Sequence, residues 1–471
     1  MTAREVMEAS IARAEAVQGQ LNGLACTDFD RALARSNRPA KGVFAGVPTA
    51  IKDNTDSAGL PTQQAVPPSP RSPAKADSDF AKQFLSTGAI SIGKTRLPEF
   101  GFSASTEYMT EEPVHNPWNP AYSSGASSGG AAALVAAGVL PIAHANDGGG
   151  SIRIPAAACG LVGLKPTRGR TIADPADKSM PIRLIAQGAV TRTVRDTARW
   201  MSAAENYYRN PRLAPVRLIE GPSSTRLRVG VIADSVTVTK TDDETRKSVE
   251  ATAELLASLG HHVEDAALPV GPEFIDDFSI YWGGFLSFAI STGGKQMLGP
   301  DFDKSGTDNL TKGLYTLYRK NLVKTPRVLY RLRRLQQQYS AMFLKYDVVL
   351  SPALGAHHPP RARIPLSRSA FRGAFRQVDR VHVVHTAQQH LRWSRDFATD
   401  ASDQQRFAVG CAFLRRSRRR AHAPRIGLRT GRGSALEKNP GLSLTGKYPQ
   451  SRGNPSMRSP ITLSCTSVVP P

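Results

Sequence analysis

Two short stretches rich in serine and glycine, Ser127-Ser128-Gly129-Gly130 and Asp147-Gly148-Gly149-Gly150-Ser151, stand 24 residues apart from serine to serine. Consecutive glycines let the backbone take angles closed to other residues and bring several N–H groups near a ligand. N–H groups beside a serine hydroxyl are what the oxyanion of acyl transfer requires. The Ala-rich run from Ala131 to Gly138 predicts a helix without bulk, so that the two loops can converge. Glycine turns flanking a packed helix would leave the same pattern. A serine also needs a base, and no histidine stands in an obvious relation to Ser151. Lys52, in Thr49-Ala50-Ile51-Lys52-Asp53-Asn54, directly follows a predicted strand. A lysine kept neutral by desolvation can serve as that base. The plainer alternative is a solvated turn lysine beside Asp53, because charged side chains are mostly exposed.

Two other patterns lack the context their chemistry needs. The stretch from Gly88 to Gly93-Lys94-Thr95 has the spacing of a phosphate-cradling loop, which must be a flexible turn between strand and helix. Its interior, Ala89-Ile90-Ser91-Ile92, is strand-like, and Pro98 soon follows. Gly125-Ala126-Ser127-Ser128-Gly129 has the spacing of a nucleophile elbow, which must follow a strand; Asn116-Pro117-Trp118-Asn119-Pro120 precedes it instead. His261, His262, His357 and His358 leave a Ser–His–acid triad formally open, but read as surface or packing residues.

The elements that must position these groups alternate. Ala3–Ala16 and Phe80–Ser86 are predicted helices, and Gly46–Ile51 and Ala89–Ile92 predicted strands. Later come a strand at Arg228–Ile232, helices at Asp242–Leu259 and about Val328–Tyr346, and a buried strand at Asp347–Pro352. Acidic residues open the Asp242 helix and Gly260 stops it. Such alternation predicts an α/β fold with a mixed β-sheet flanked by helices.

Of 471 residues, 40% are hydrophobic and 21% charged, a globular composition. There is no run of 18 apolar residues, and Met1–Gln20 lacks the apolar centre of a signal peptide, so a cytoplasmic location and no membrane role are expected. Cys26, Cys159, Cys411 and Cys465 share no metal-ligand spacing, and no metal or other cofactor is expected. The formal net charge is +22, of which +16 falls in residues 361–471, where 21 Lys and Arg face 5 Asp and Glu. Nineteen of those basic residues are Arg, and no sustained period of 3.6 or 2 is visible.

Four stretches taken in order, Gly46-Val-Pro-Thr-Ala-Ile-Lys52-Asp-Asn, Ser127-Ser-Gly-Gly-Ala-Ala-Ala, Asp147-Gly-Gly-Gly-Ser151-Ile-Arg153-Ile-Pro-Ala and Cys159-Gly-Leu-Val-Gly-Leu-Lys165-Pro-Thr, resemble the amidase signature family. The resemblance implies hydrolysis of a carboxamide C–N bond by a Ser–Ser–Lys triad. Ser151 would be the nucleophile, Ser127 the bridging serine behind a cis peptide bond, and Lys52 the base. The N–H groups of Gly148, Gly149, Gly150 and Ser151 would form the oxyanion hole. Ser128, Asp147 and Arg153 would support the loops. The partner would be a small-molecule amide, with a homodimer left open and nucleic acid not expected. Residues 1–360 would form the core, with a variable helical substrate region at about 240–345 where Phe274, Phe278, Tyr281, Trp282, Phe285 and Phe288 cluster, either as a pocket or as ordinary packing.

The sequence departs from the family pattern at Ser124, Ala126 and Asn146, where Pro, Gly and Thr are frequent, and above all after Pro360. The family continues there with a further strand and helix, and no such segment is legible. The expectation is a fold incomplete at its C-terminal end, with 361–471 an Arg-rich tail of low order. Its Arg excess resembles an out-of-frame reading of a coding end, a hypothesis that translating the other frames would test. The alternatives are a non-catalytic remnant, a polyanion-binding protein, or a glutaminase-type subunit of a transamidating complex.

Overall fold

The computed structural model describes residues 1–66, 71–222, 224–234, 241–291, 294–355, 411–415 and 461–465. In chain order it comprises α1 (Ala3–Leu21), β1 (Leu24–Thr27), α2 (Phe29–Ser36), β2 (Pro48–Lys52), α3 (Asp79–Leu85), β3 (Ile90–Thr95), a 3-10 turn (Glu99–Gly101), α4 (Gly129–Ala136), β4 (Ile142–Asp147) and α5 (Arg153–Ala158). There follow β5 (Val162–Lys165), α6 (Pro175–Ser179), β6 (Ala186–Thr191), α7 (Val194–Tyr207), β7 (Arg228–Val231), α8 (Asp243–Ser258) and β8 (His262–Asp265). The last are α9 (Glu273–Ile290), α10 (Gly294–Leu298), α11 (Asn309–Lys320), α12 (Thr325–Lys345), β9 (Val348–Pro352), β10 (Cys411–Arg415) and β11 (Ile461–Cys465).

Local chemistry accounts for the helix boundaries. Thr2 and Glu5 form a reciprocal capping box at the start of α1, and the Asp242 side chain accepts from Thr245 N–H at the start of α8. Each cap satisfies N–H groups that the helix itself leaves unpaired. The helices predicted at both places are present and longer than, or close to, their expected spans.

The strands form a three-stranded sheet, β1-β3-β2, and an eight-stranded sheet, β4-β6-β5-β11-β10-β9-β7-β8. Pairs β2–β3, β7–β8 and β7–β9 are parallel and the others antiparallel, so the mixed α/β architecture is as expected. The phosphate-loop spacing at Gly88–Thr95 falls on β3, which is buried throughout. Lys94 there is 3.2 Å from Asp53 and bonds Pro61 O and Thr62 Oγ1. It is a structural cation.

Beyond Pro360, where no strand is legible in the sequence, β10 pairs antiparallel with β9, and β11 joins β10 to β5. Without that pair β5 and β9 would each present an open edge, the arrangement that invites aggregation. The rest of 361–471, including its Arg-rich run after Arg415 and with it the polyanion-binding alternative, lies outside the described residues. Among the described residues no helix is long and apolar enough to cross a membrane.

The centre of the molecule is closed to bulk solvent. Strands β2, β3, β4 and β6 are buried at every position. In β4 this is notable because His144, Asn146 and Asp147 lie within it. Buried polar groups must find partners, and theirs define the site.

Candidate active site

Helix α4 is buried along its whole length. Its small residues are a steric requirement: a Cβ on Gly130 would lie 2.4 Å from the Gly23 carbonyl oxygen, and one on Gly129 2.3 Å from Thr106 Oγ1. This close approach holds Ser127 and Ser128, at the mouth of α4, against the ends of β2 and β4. The Ala126–Ser127 peptide bond is cis, in accord with the resemblance.

Lys52 is the last residue of β2 and is fully buried; the solvated-turn alternative is excluded. Its Nζ lies 2.8 Å from Ser127 Oγ and 2.7 Å from Asn146 Oδ1. Burial pulls its pKa down to about 7, opposed by the nearby charge of Asp147. A substantial neutral fraction at neutral pH follows. Asn146 Nδ2 donates to Asn54 Oδ1 at 3.1 Å, which fixes the amide so that Oδ1 faces the lysine. The amine therefore gives one N–H to Asn146 and, when neutral, turns its lone pair toward Ser127.

A second polar chain lies beneath. The Lys52 backbone N–H donates to His144 Nδ1 at 3.2 Å, so the imidazole proton sits on Nε2, 3.0 Å from Gln187 Oε1. Gln187 Nε2 donates in turn to Asp174 Oδ2 and Asp177 Oδ2. Desolvation holds the His144 pKa down at about 3. Between Phe80 and Phe84, with ring centroids at 4.8 and 5.9 Å, it is a neutral spacer.

Asp147 organises the glycine loop. Its carboxylate, fully buried, accepts from the N–H groups of Gly150 (2.8 Å) and Ile152 (3.2 Å) and from Arg153 Nε and Nη2 (2.7 and 2.8 Å). Lys165 is 3.2 Å away and also donates to the Gly148 carbonyl. The Gly150 N–H, one of four expected oxyanion donors, is thus occupied. Among the described residues the N–H groups of Gly148, Gly149 and Ser151 carry no such bond. Ser151 itself is 9% exposed. No hydrogen bond joins Ser127 Oγ to Ser151 Oγ among the described residues. Catalytic contacts of this kind are often long before substrate arrives. The Ser128 hydroxyl lies 3.5 Å from the Asn146 carbonyl, at the limit of a contact.

Sequence reasoning alone does not pick out Asn54, His144, Asn146 and Gln187 as contributors. The available signal was polar residues at 144, 146 and 147 in an otherwise apolar run. Among the described residues no cluster of His, Cys, Asp or Glu is arranged to hold a metal.

Comparison with known proteins bears on the family and the fold. Residues 5–396 match the family model described as Amidase. The chain is 45% identical over 356 residues to the protein named "Putative amidase AmiC" of Mycobacterium leprae (strain TN), covering 75% of this chain and 76% of that protein. It is 37% identical over 289 residues to the 6-aminohexanoate-cyclic-dimer hydrolase of Paenarthrobacter ureafaciens, covering 58% of this chain and 57% of that protein. Among solved structures, one of a 6-aminohexanoate cyclic dimer hydrolase superposes with a TM-score of 0.69 at 27% identity, covering 78% of this chain and 79% of the other.

Proposed function

The chain belongs to the amidase family, and from that membership we propose that it hydrolyses a carboxamide C–N bond through an acyl-enzyme on Ser151, with Lys52 as base and Ser127 as proton bridge. The observation that carries this reading is a fully buried lysine whose Nζ lies 2.8 Å from a serine hydroxyl. Neutral Lys52 accepts the Ser127 proton as Ser127 accepts that of Ser151, and Ser151 Oγ bonds to the amide carbon. Negative charge collects on the carbonyl oxygen, facing the N–H groups of Gly148, Gly149 and Ser151. One such donor contributes about 3–4 kcal/mol in a comparable hydrolase.

When the C–N bond breaks, the proton returns through Ser127 to the leaving nitrogen. Water then attacks the ester, giving its proton to the same relay, and the carboxylate leaves with Ser151 restored. Asp147 and Arg153 hold the loop and take no proton. The reading is tested with a small fluorophosphonate, which should form a covalent adduct found by peptide mass spectrometry on Ser151. Adduct formation should fail in Ser151→Ala and fall steeply in Lys52→Ala. Equal labelling of the native chain and both variants would refute it.

A further inference from the structure

Helix α9 carries Phe274, Phe278 and Trp282 at four-residue intervals, which places them in one line on one face. Eight residues of helix make that line about 12 Å long. Phe278 and Trp282 are stacked, with centroids 5.5 Å apart and planes at 18°, and Phe274 lies 5.9 Å from Phe278. All three are only half-buried, whereas Leu286 and Ile290 on the same helix are 0% and 4% exposed. The same four-residue step continues into Leu286 and Ile290, so the line is the less covered, N-terminal part of a face whose C-terminal part is packed.

It ends at the reactive loops. The far edge of the Trp282 ring lies 2.8 Å from where a Cβ on Gly148 would stand. Trp282 also meets Phe102 at 4.7 Å. Phe102 follows Gly101, where a Cβ would lie 3.1 Å from Ser127 Oγ. Trp282 thus packs against the oxyanion-side loop, and Phe102, 5% exposed, backs it one residue after Gly101. Outside the line, Trp282 also meets Phe285 at 6.2 Å, and the half-buried Phe274 and Phe278 offer flat apolar surface.

We infer that Phe102, Trp282 and Phe278 form the substrate wall, and that the preferred substrates are carboxamides bearing an aromatic ring or comparably flat apolar group within about 12 Å of the scissile carbonyl. This rests on the amide-cleaving reading of Ser151. Rings lining a small-molecule site bind by area and stacking, and the few polar groups at its end fix the reacting bond.

Binding is measured by calorimetry on the full-length Ser151→Ala protein, with phenylacetamide and 3-phenylpropionamide against aliphatic primary amides of equal length. The aryl amides should bind at least ~10-fold more tightly, the scale of a filled apolar pocket. Trp282→Ala and the milder Phe278→Leu, each added to Ser151→Ala, should shrink that preference to about 3-fold or less and leave the aliphatic amides unchanged. In the otherwise native chain both changes should raise KM for aryl amides more than for aliphatic ones, and an unchanged urea midpoint in Phe278→Leu would show that the fold persists. Equal affinity for the two series, or a preference that survives both substitutions, would overturn the inference. Aryl preference in a native chain that does not label would instead strike the reaction and leave the wall standing.

Discussion

The layer between β2 and β4 and the helical region from α9 to α12 solve opposite problems with the same chain. In the first, Lys52, Ser128, His144 and Asp147 are all 0% exposed, and cations and carboxylates are held at fixed partners. In the second, charges such as Arg327, Arg333 and Arg334 line the outside, and Phe274, Phe278 and Trp282 of α9 are half-buried. Proton transfer needs a low-dielectric, unmoving environment, because desolvation is what makes a lysine basic near neutrality. Recognition needs surface that a substrate can reach. It follows that a single change in the first region should cost orders of magnitude, and one in the second should change choice or nothing.

The sharpest break is Lys52→Ala. Positioned bases contribute about 10²–10⁴ in rate, so fluorophosphonate labelling should slow by about 10³-fold with the urea midpoint little changed. A loss below about 10-fold would mean that the buried amine is not the base. Asp147→Ala should act on stability as well. Arg153, 3% exposed, would lose its carboxylate, and breaking a buried pair in this way typically costs about 3–5 kcal/mol. Urea unfolding should report it. A cost under about 1 kcal/mol would place the loop's support elsewhere.

The pH dependence tests the same contrast. Lys52 must be neutral to accept a proton, and its pKa is lowered to about 7. The neutral form therefore grows as pH rises, and labelling should climb through about pH 7 to a plateau. A rate still rising in proportion to hydroxide near pH 10 would show a solvated lysine. In Asn146→Leu the amine loses the acceptor 2.7 Å away that favours its charged form and aims its lone pair. Labelling should fall about 10-fold and the midpoint should move to lower pH. Asn146→Thr keeps an oxygen acceptor and should recover most of the rate.

Much of the first region is legible in the sequence because its chemistry is carried locally. Gly130 is fixed by backbone approach, Gly129 and Gly148 by neighbouring side chains, Gly150 by its positive φ, and the strand ending at Lys52 by its apolar run. The partners of Lys52 are less legible, because they are long-range: Asn146 and His144 stand more than 90 residues away. Only the pairing of sheets brings them under the amine. The two five-residue strands of the tail, Cys411–Arg415 and Ile461–Cys465, are not legible because so short a run beside turn and Arg residues has no period of its own. Their pairing is set by the open edges of β5 and β9. The ring line of α9 is visible as a cluster, but whether it is pocket or packing depends on exposure, which spacing does not encode.

The outer face of α12 should matter least. Tyr330 is 59% exposed, with the Arg334 guanidinium 5.7 Å from its ring centroid and bonded to its hydroxyl at 3.3 Å. A cation–π contact at such a site contributes about 0.5–1 kcal/mol, and water replaces most of it when the ring is removed. Tyr330→Ala should therefore shift the urea midpoint by no more than about 0.5 kcal/mol equivalent, with labelling of Ser151 and the aryl preference both within error of the native chain. A larger loss of labelling would mean that α12 transmits its position through α9 to Trp282 and the glycine loop. The helical region would then be part of the catalytic support, and the division drawn between the two regions would fail at that helix.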